Sequence, residues 1–196
     1  MKRIRIAIQK NGRLQEDSLS YLKKCGLKWN KMNNGEMIIP CTNKNIDLLF
    51  VRHGDIPEYV KWGSADLGIV GENSLYERKD TYVVRKRLGF GRCKLVIAVP
   101  NDSPILNITQ LEHERIATSY PRTLTVFLKR KNIQASPISI HGSVEIAPSL
   151  GLADAICDIT QSGNTLESNN LRSITTILTS EAVIISNDSA DLSWLV

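Results

Sequence analysis

The sequence predicts an α/β fold of two lobes, with mostly parallel sheets covered by flanking helices. Three observations carry this. Short apolar runs alternate with helical stretches along most of the 196 residues, which is the signature of strand–helix–strand units. The stretches GFGRCKL (89–95) and PNDSP (100–104) read as punctuation between lobes. The final apolar run (181–186) reads as a strand returning to the first lobe. Lobe I is assigned to residues 1–89 plus 178–196, and lobe II to 90–177.

In order, RIRIAIQ (3–9) reads as a strand. LQEDSLSYLKKCG (14–26) is a helix, with Leu14, Leu19, Leu22 and Cys25 on one face and Gly26 as its stop. MIIP (37–40) and IDLLFVR (46–52) are strands. DIPEYVKWG (55–63) is a short helix capped by Asp55, with Pro57 in its first turn. ADLGIVG (65–71) and KLVIAVP (94–100) are strands, ENSLYER starts a helix or turn, and ITQLEHE (108–114) is a short helix. Three strand–helix pairs follow: RIATSY (115–120) with PRTLTVFLKRKN (121–132), ISIHG (138–142) with SVEIAPSLG (143–151), and DAICDIT (154–160) with NTLESNN (164–170). SITTILTSEAVIISN (173–187) supplies one or two closing strands. No internal repeat is visible.

Composition narrows the function. Hydrophobic content of 42% with 23% charged residues is that of an ordinary globular protein. No apolar run is long enough for a bilayer, and the basic N-terminus is too short in apolar residues for an export signal, so no membrane role and a cytoplasmic location are expected. Four scattered cysteines without C-x-x-C read as reduced thiols, and three histidines lack metal-ligand spacing. Net charge is +5, with nine Lys/Arg in residues 1–31 against Glu16 and Asp17. That field attracts anions. Without a nucleic-acid motif or a basic–aromatic stripe, a small phosphorylated ligand is expected and nucleic acid is not.

Ligands of open α/β sheets bind where strands end and helices begin. Four such junctions stand out. Gln9-Lys10-Asn11-Gly12-Arg13 places two cations around a glycine turn. Val70-Gly71-Glu72-Asn73-Ser74 reads equally as a helix cap or a ligand loop. Ala117-Thr118-Ser119-Tyr120-Pro121 reads as a cap with proline at the first helical position, or as exposed hydroxyls and a ring lining a crevice. In CDITQSGNTLES (157–168), small residues let several backbone N–H groups converge, with Ser162 and Thr165 adding hydroxyls and the following helix its positive dipole end. That suits a terminal phosphate, with Asp158 toward sugar hydroxyls; a plain glycine turn reads equally well. Neither a Walker loop nor a G-x-G-x-x-G is present.

The pattern Asp-apolar-x-x-Ser-Gly-x-Thr resembles the 5-phosphoribosyl-1-pyrophosphate (PRPP) loop of phosphoribosyltransferases, with Cys157 where a first acid is usual. Together with QKNGRL (9–14), RHGDIP (52–57), ADLGIVGEN (65–73), RIATSYP (115–121), GSVEIAP (142–148) and GLADAICDITQSGNTLESNNL (151–171), it resembles the ATP phosphoribosyltransferase family, the first enzyme of histidine biosynthesis. The resemblance runs in order from about residue 3 to 186.

It implies a two-lobed fold like that of type II periplasmic binding proteins, with substrates in a cleft between the lobes. The implied reaction is attack of adenine N1 of ATP on C1 of PRPP, releasing pyrophosphate, with Mg²⁺ required. Adenine N1 already carries its lone pair. Catalysis therefore rests on aligning the substrates and neutralising the leaving group, for which Lys10, Arg13 and Arg52 are the cations. Asp154, Asp158, Thr160, Gln161, Ser162, Gly163, Asn164 and Thr165 are the implied PRPP residues; Glu72, Thr118, Ser119, Tyr120 and Glu145 are expected near ATP or the cleft. The metal ligands are not identified. Gly35 stands where a family cation is expected, leaving Lys31 or another residue to compensate, and His53-Gly54 alters a commonly acidic stretch. A homo-oligomer, dimer or higher, and a regulatory subunit resembling histidyl-tRNA synthetase are implied partners. The chain ends before the regulatory domain of long family members, so feedback by histidine within it alone is not expected. Alternatives are a nucleobase phosphoribosyltransferase and a non-catalytic solute-binding module.

Overall fold

The computed structural model describes residues 3–31 and 35–186. The chain opens with strand β1 (Ile4–Gln9), helix α1 (Arg13–Lys24), β2 (Ile38–Pro40) and β3 (Ile46–Val51). A single 3-10 turn, His53–Asp55, leads into α2 (Ile56–Lys61), followed by β4 (Leu67–Gly71), the short α3 (Asn73–Tyr76) and β5 (Val83–Arg87). Next come β6 (Cys93–Pro100), β7 (Arg115–Thr118), α4 (Pro121–Lys131) and β8 (Ser136–Ser139). The described chain closes with β9 (Ala155–Thr160), α5 (Asn164–Ser168), β10 (Leu171–Ser180) and β11 (Ala182–Ser186).

Among the described residues, one compact unit is drawn from Met1–Leu75, Asp80–Gly91 and Glu181–Val196, and the other from Tyr76–Lys79 and Arg92–Ser180. The sequence boundaries were set at 89/90 and 177/178. The division falls later in both places because β6 and β10 pair, across two register shifts, up to Ser180 against Cys93. The ends of lobe I, residues 1–2 and 187–196, lie outside the described residues.

The first sheet has the order β2-β3-β1-β4-β11-β5 and the second β10-β6-β9-β7-β8. Both are mixed rather than mostly parallel. Parallel pairing is confined to β3-β1-β4 and β8-β7-β9, while β11 and β5, like β6 and β10, run antiparallel to their neighbours. The strand layout is thus duplicated: β3-β1-β4-β11-β5 in one unit matches β8-β7-β9-β6-β10 in the other in spatial order and direction, although β11 comes last in its unit along the chain and β6 first in its own. The sequence shows no such repeat, because topology constrains hydrophobic pattern and not residue identity.

Strand β3 (IDLLFV) is buried at all six positions and β4 (LGIVG) at all five, as a strand covered on both faces must be. Ile6, Ile8, Leu48, Phe50, Leu67 and Ile69 meet Leu22 of α1 on one side of the first sheet, and Val51, Val70, Val183 and Ile185 meet Ile56 and Val60 of α2 on the other. Each such side chain contributes about 1.5–3 kcal/mol of transfer free energy. In the second unit, Leu95, Ile97 and Ile116 pack against Leu124 and Leu128 of α4.

Several local expectations change. Strand β5 (VVRKR) was not foreseen; it is an exposed edge, and its run of charges leaves no alternating apolar pattern to mark it. The expected strand at 138–142 runs earlier, in register with β7, and ends before the positive-φ residues Gly142 and Ser143. The helix expected at 143–151 contains one 3-10 turn, Val144–Ile146. Asp55 does not cap α2: its backbone is already helical and its side chain makes no capping bond.

Candidate active site

Each unit has a topological switch point. From β1 the chain goes to β3 on one side and then to β4 on the other; from β7 it goes to β8 on one side and then to β9 on the other. Ligands of open α/β sheets bind beyond the C-terminal ends of strands at such points. In the second unit the point lies between β7 and β9, which align Thr118 with Cys157. The turn Ser119–Tyr120 and the last residues of β9, Asp158–Thr160, which lead into the loop, therefore emerge side by side.

The Thr118 hydroxyl donates to the Cys157 carbonyl at 2.7 Å and accepts from the Tyr120 N–H at 2.8 Å. It is fully buried, not the exposed group expected, and it aligns the two strand ends. Ser119 donates to the Ile140 carbonyl at 2.9 Å, tying the turn after β8 to the same edge. Tyr120 is half-buried against the core of this unit. What the ATSYP turn offers is a braced wall.

After β9 the chain turns at Gly163, whose φ of 91° is in the region only glycine adopts without strain. The Gly163 N–H donates to the Thr160 hydroxyl at 3.1 Å, and the Asn164 N–H points at the Ser162 hydroxyl at 3.5 Å. Gln161, Ser162, Asn164 and Thr165 are exposed. Helix α5 has only five residues, so its dipole is weaker than the sequence suggested. The groups the loop turns to solvent are the side chains of Gln161, Ser162, Asn164 and Thr165.

Asp158 is partly buried, and its carboxylate accepts the Ile159 N–H at 2.8 Å. Burial holds its carboxyl above the ordinary range; the charge of Glu145 adds to this and the Ile159 N–H opposes it. Glu145, in the 3-10 turn after β8, is thus electrostatically close to Asp158. Burial pushes the neighbouring Cys157 thiol up to about 12, so it stays protonated and inert. Among the described residues, no group of three or more His, Cys, Asp or Glu could hold a metal ion.

Asp154 stands apart. It precedes β9, at the end of the strand away from the loop, and its carboxylate takes the Arg115 N–H at 2.9 Å and the Arg115 guanidinium at 3.0 Å. That bonding holds its carboxyl below the usual range. These bonds brace the start of β7. A groove of about 450 Å³ lined by Asn101, Asp102, Ser149 and Asn170 also lies at that far end.

In the first unit, the C-terminal ends of β1, β3 and β4 bring together Lys10, Arg13, Arg52 and Glu72. The Lys10 N–H bonds the Val51 carbonyl at 2.8 Å, which ties the two turns. Gly12, at φ 97°, allows the tight turn into α1. Lys10, Arg13 and Arg52 are all exposed. Glu72 is only 8% exposed, and both its oxygens are held by Arg87. Glu181 extends this network, standing 3.9 Å from Arg87 while its carbonyl accepts the Glu72 N–H at 3.0 Å. Lys31 is exposed, as is Gly35; residues 32–34 lie outside the described chain.

Three contributors escaped the sequence reading: His53, Glu77 and Arg87. The Glu77 carboxylate accepts the Arg122 and Thr123 N–H groups at 3.0 and 2.7 Å, capping α4 where Tyr120 makes no side-chain cap. Its partners lie 45 and 46 residues away, and no local pattern encodes such a cap.

Two α/β units with this wiring define the class of periplasmic-binding-protein-like folds. The periplasmic aliphatic sulphonate binding protein SsuA from Escherichia coli superposes with a TM-score of 0.62 over 95% of this chain and 65% of its own, at 16% identity, a likeness of fold alone. The chain belongs to the ATP phosphoribosyltransferase family: the HisG family model matches residues 52–193. An ATP phosphoribosyltransferase of Cytophaga hutchinsonii is 45% identical over 181 residues, 92% of this chain and 63% of the relative. The ATP phosphoribosyl transferase (HisG:HisZ) complex from Thermotoga maritima gives a TM-score of 0.77 at 32% identity, covering 94% of this chain and 87% of that one. This chain therefore spans less than two thirds of the length of the curated relative.

Proposed function

We propose that this chain is a pentosyl-transferring enzyme that joins ATP to PRPP, giving N1-(5-phosphoribosyl)-ATP and pyrophosphate, the first step of histidine biosynthesis. One observation supports it above others. The loop that resembles a PRPP site leaves β9 at the switch point of the second unit, where the fold class seats its ligands.

In this reading Thr160–Thr165 hold the 5-phosphate through hydroxyls and local N–H groups, and Asp158 accepts hydrogen bonds from ribose hydroxyls. The raised pKa of Asp158 reflects an incompletely solvated carboxylate, which gains most from a hydroxyl donor. Thr118 fixes the spacing of β7 and β9. Lys10, Arg13 and Arg52 supply positive charge for the polyphosphate groups. No side chain needs to abstract a proton to create the nucleophile, because adenine N1 attacks with its own lone pair. The C1–oxygen bond to pyrophosphate breaks as the C1–N1 bond forms. Mg²⁺ suits this reading as part of the substrate: it binds phosphates with few protein ligands, and the chain offers Asp158 and Glu145 beside the loop.

The T. maritima relative occurs as a HisG:HisZ complex. We extend to this chain assembly as a dimer or higher oligomer, and an accessory subunit resembling histidyl-tRNA synthetase. The test is formation of phosphoribosyl-ATP from ATP, PRPP and Mg²⁺ with pyrophosphatase present, with and without that subunit. Product in either condition supports the assignment, and no product in both refutes it.

A further inference from the structure

We propose that His53 is a positioning residue, a neutral imidazole staple that locks the anion-facing end of the first unit; this rests on the phosphoribosyl-transfer reading for its kinetic consequence. The Gly71 N–H donates to His53 Nε2 at 3.0 Å. His53 follows β3, and Gly71 is the last residue of β4. Strand β1 lies between those two strands, parallel to both. The bond therefore crosses the C-terminal end of β1, where Gln9 aligns with Val51 and the Lys10 N–H meets the Val51 carbonyl. One imidazole thus joins the turns that carry Arg52 and Glu72, and the Lys10 N–H, bonded to Val51 beside them, ties the third.

The close fit at Gly71 supports this. A Cβ there would clash with Asn73 Oδ1 at 2.5 Å and would lie in contact with His53 Nε2 at 3.6 Å, so Asn73 crowds the turn and the imidazole packs directly against Gly71. Arg52 adjoins His53 on an extended residue, φ −63° and ψ 139°. Fixing the His53 ring fixes the backbone from which the Arg52 side chain springs. On the other side, the bond pins Gly71, next to Glu72, which Arg87 holds.

An acceptor Nε2 requires the proton on Nδ1, so the staple exists only in the neutral ring. Protonation makes Nε2 a donor facing the Gly71 N–H. Protonation of the ring therefore breaks the staple. The charged groups on the elements that meet there are Arg52 and Asp55 on its own turn, Lys10 and Arg13 from the β1 turn, Glu72 from the β4 turn, and Arg87 from β5. The bond to Gly71 needs the neutral ring whatever their balance.

The test compares the wild-type chain with His53→Leu, which keeps bulk, and His53→Gln, whose amide oxygen returns an acceptor. Three readouts are used: exchange of the Gly71 amide, ¹⁵N shifts of the imidazole, and the pH profile of kcat/KM for PRPP. We expect an unprotonated Nε2 in the wild type and faster Gly71 exchange in His53→Leu. His53→Leu should lose about 10- to 100-fold in kcat/KM, as for a misplaced positioning group. His53→Gln should recover most of that loss and lack the acid limb of the wild-type profile. A protonated Nε2 at neutral pH, unchanged Gly71 exchange, unchanged kinetics of His53→Leu, or an identical acid limb in His53→Gln would each overturn the proposal. If the wild type shows no turnover, the functional reading fails, and the exchange and ¹⁵N measurements still decide the staple.

Discussion

Asp154 precedes β9 and Asp158 lies within it, yet their environments push them in opposite directions. Burial raises Asp158; the Arg115 guanidinium lowers Asp154. The consequences for stability have opposite sign. A carboxyl whose pKa is raised on folding favours the protonated form, so the cost of ionised Asp158 to stability grows as pH rises through its shifted range. Asp158→Asn should therefore raise Tm at pH 7, with the gain vanishing below about pH 3, where both forms are neutral. The same substitution should weaken use of PRPP. For Asp154 the stabilisation is present above the ordinary carboxylate range and is lost as pH falls through its lowered value, so Asp154→Asn should lower Tm at pH 7 while leaving KM for PRPP unchanged. Thermal melts across pH, with kinetics at pH 7, check both. A raised KM for PRPP in Asp154→Asn would return that residue to the site.

At the level of elements, two bonds hold the second unit's switch point in shape. Thr118→Val keeps volume but leaves the Tyr120 N–H and Cys157 carbonyl without their hydroxyl partner, at a cost of about 1–3 kcal/mol. Denaturant titration should show that loss, and an unchanged midpoint would contradict it. Glu77→Ala removes the cap of α4 and should cost about 1 kcal/mol, seen as faster amide exchange confined to the first turn of that helix. The strand cores and their order along the chain were legible in the sequence, because β3, β4 and β6 are near-continuous apolar runs. Less legible were elements held by distant partners. The charged edge β5 is a strand only because β11 pairs with it, and α4 begins where it does with a cap from residue 77.

At the scale of the whole molecule, the two units repeat one strand layout, and each presents its candidate residues at the C-terminal ends of its parallel strands. The sequence reading singled out the loop at 158–165 and the cations at 10 and 13 because turn glycines and hydroxyls mark them locally, and Arg52 through the family resemblance. It missed His53, Glu77 and Arg87 because their roles are long-range hydrogen bonds, and it placed Asp154 with the ligand residues because adjacency in sequence hides the length of a strand. The central claim is that the loop after β9 holds the phosphoribosyl donor of an ATP phosphoribosyltransferase. Its most direct test is steady-state formation of phosphoribosyl-ATP against PRPP concentration, for the wild type, Thr165→Ala and Gly163→Val. The account predicts turnover by the wild type, with KM for PRPP raised roughly tenfold or more in both variants and KM for ATP little changed. Wild-type turnover with an unaltered KM for PRPP in both variants would contradict it.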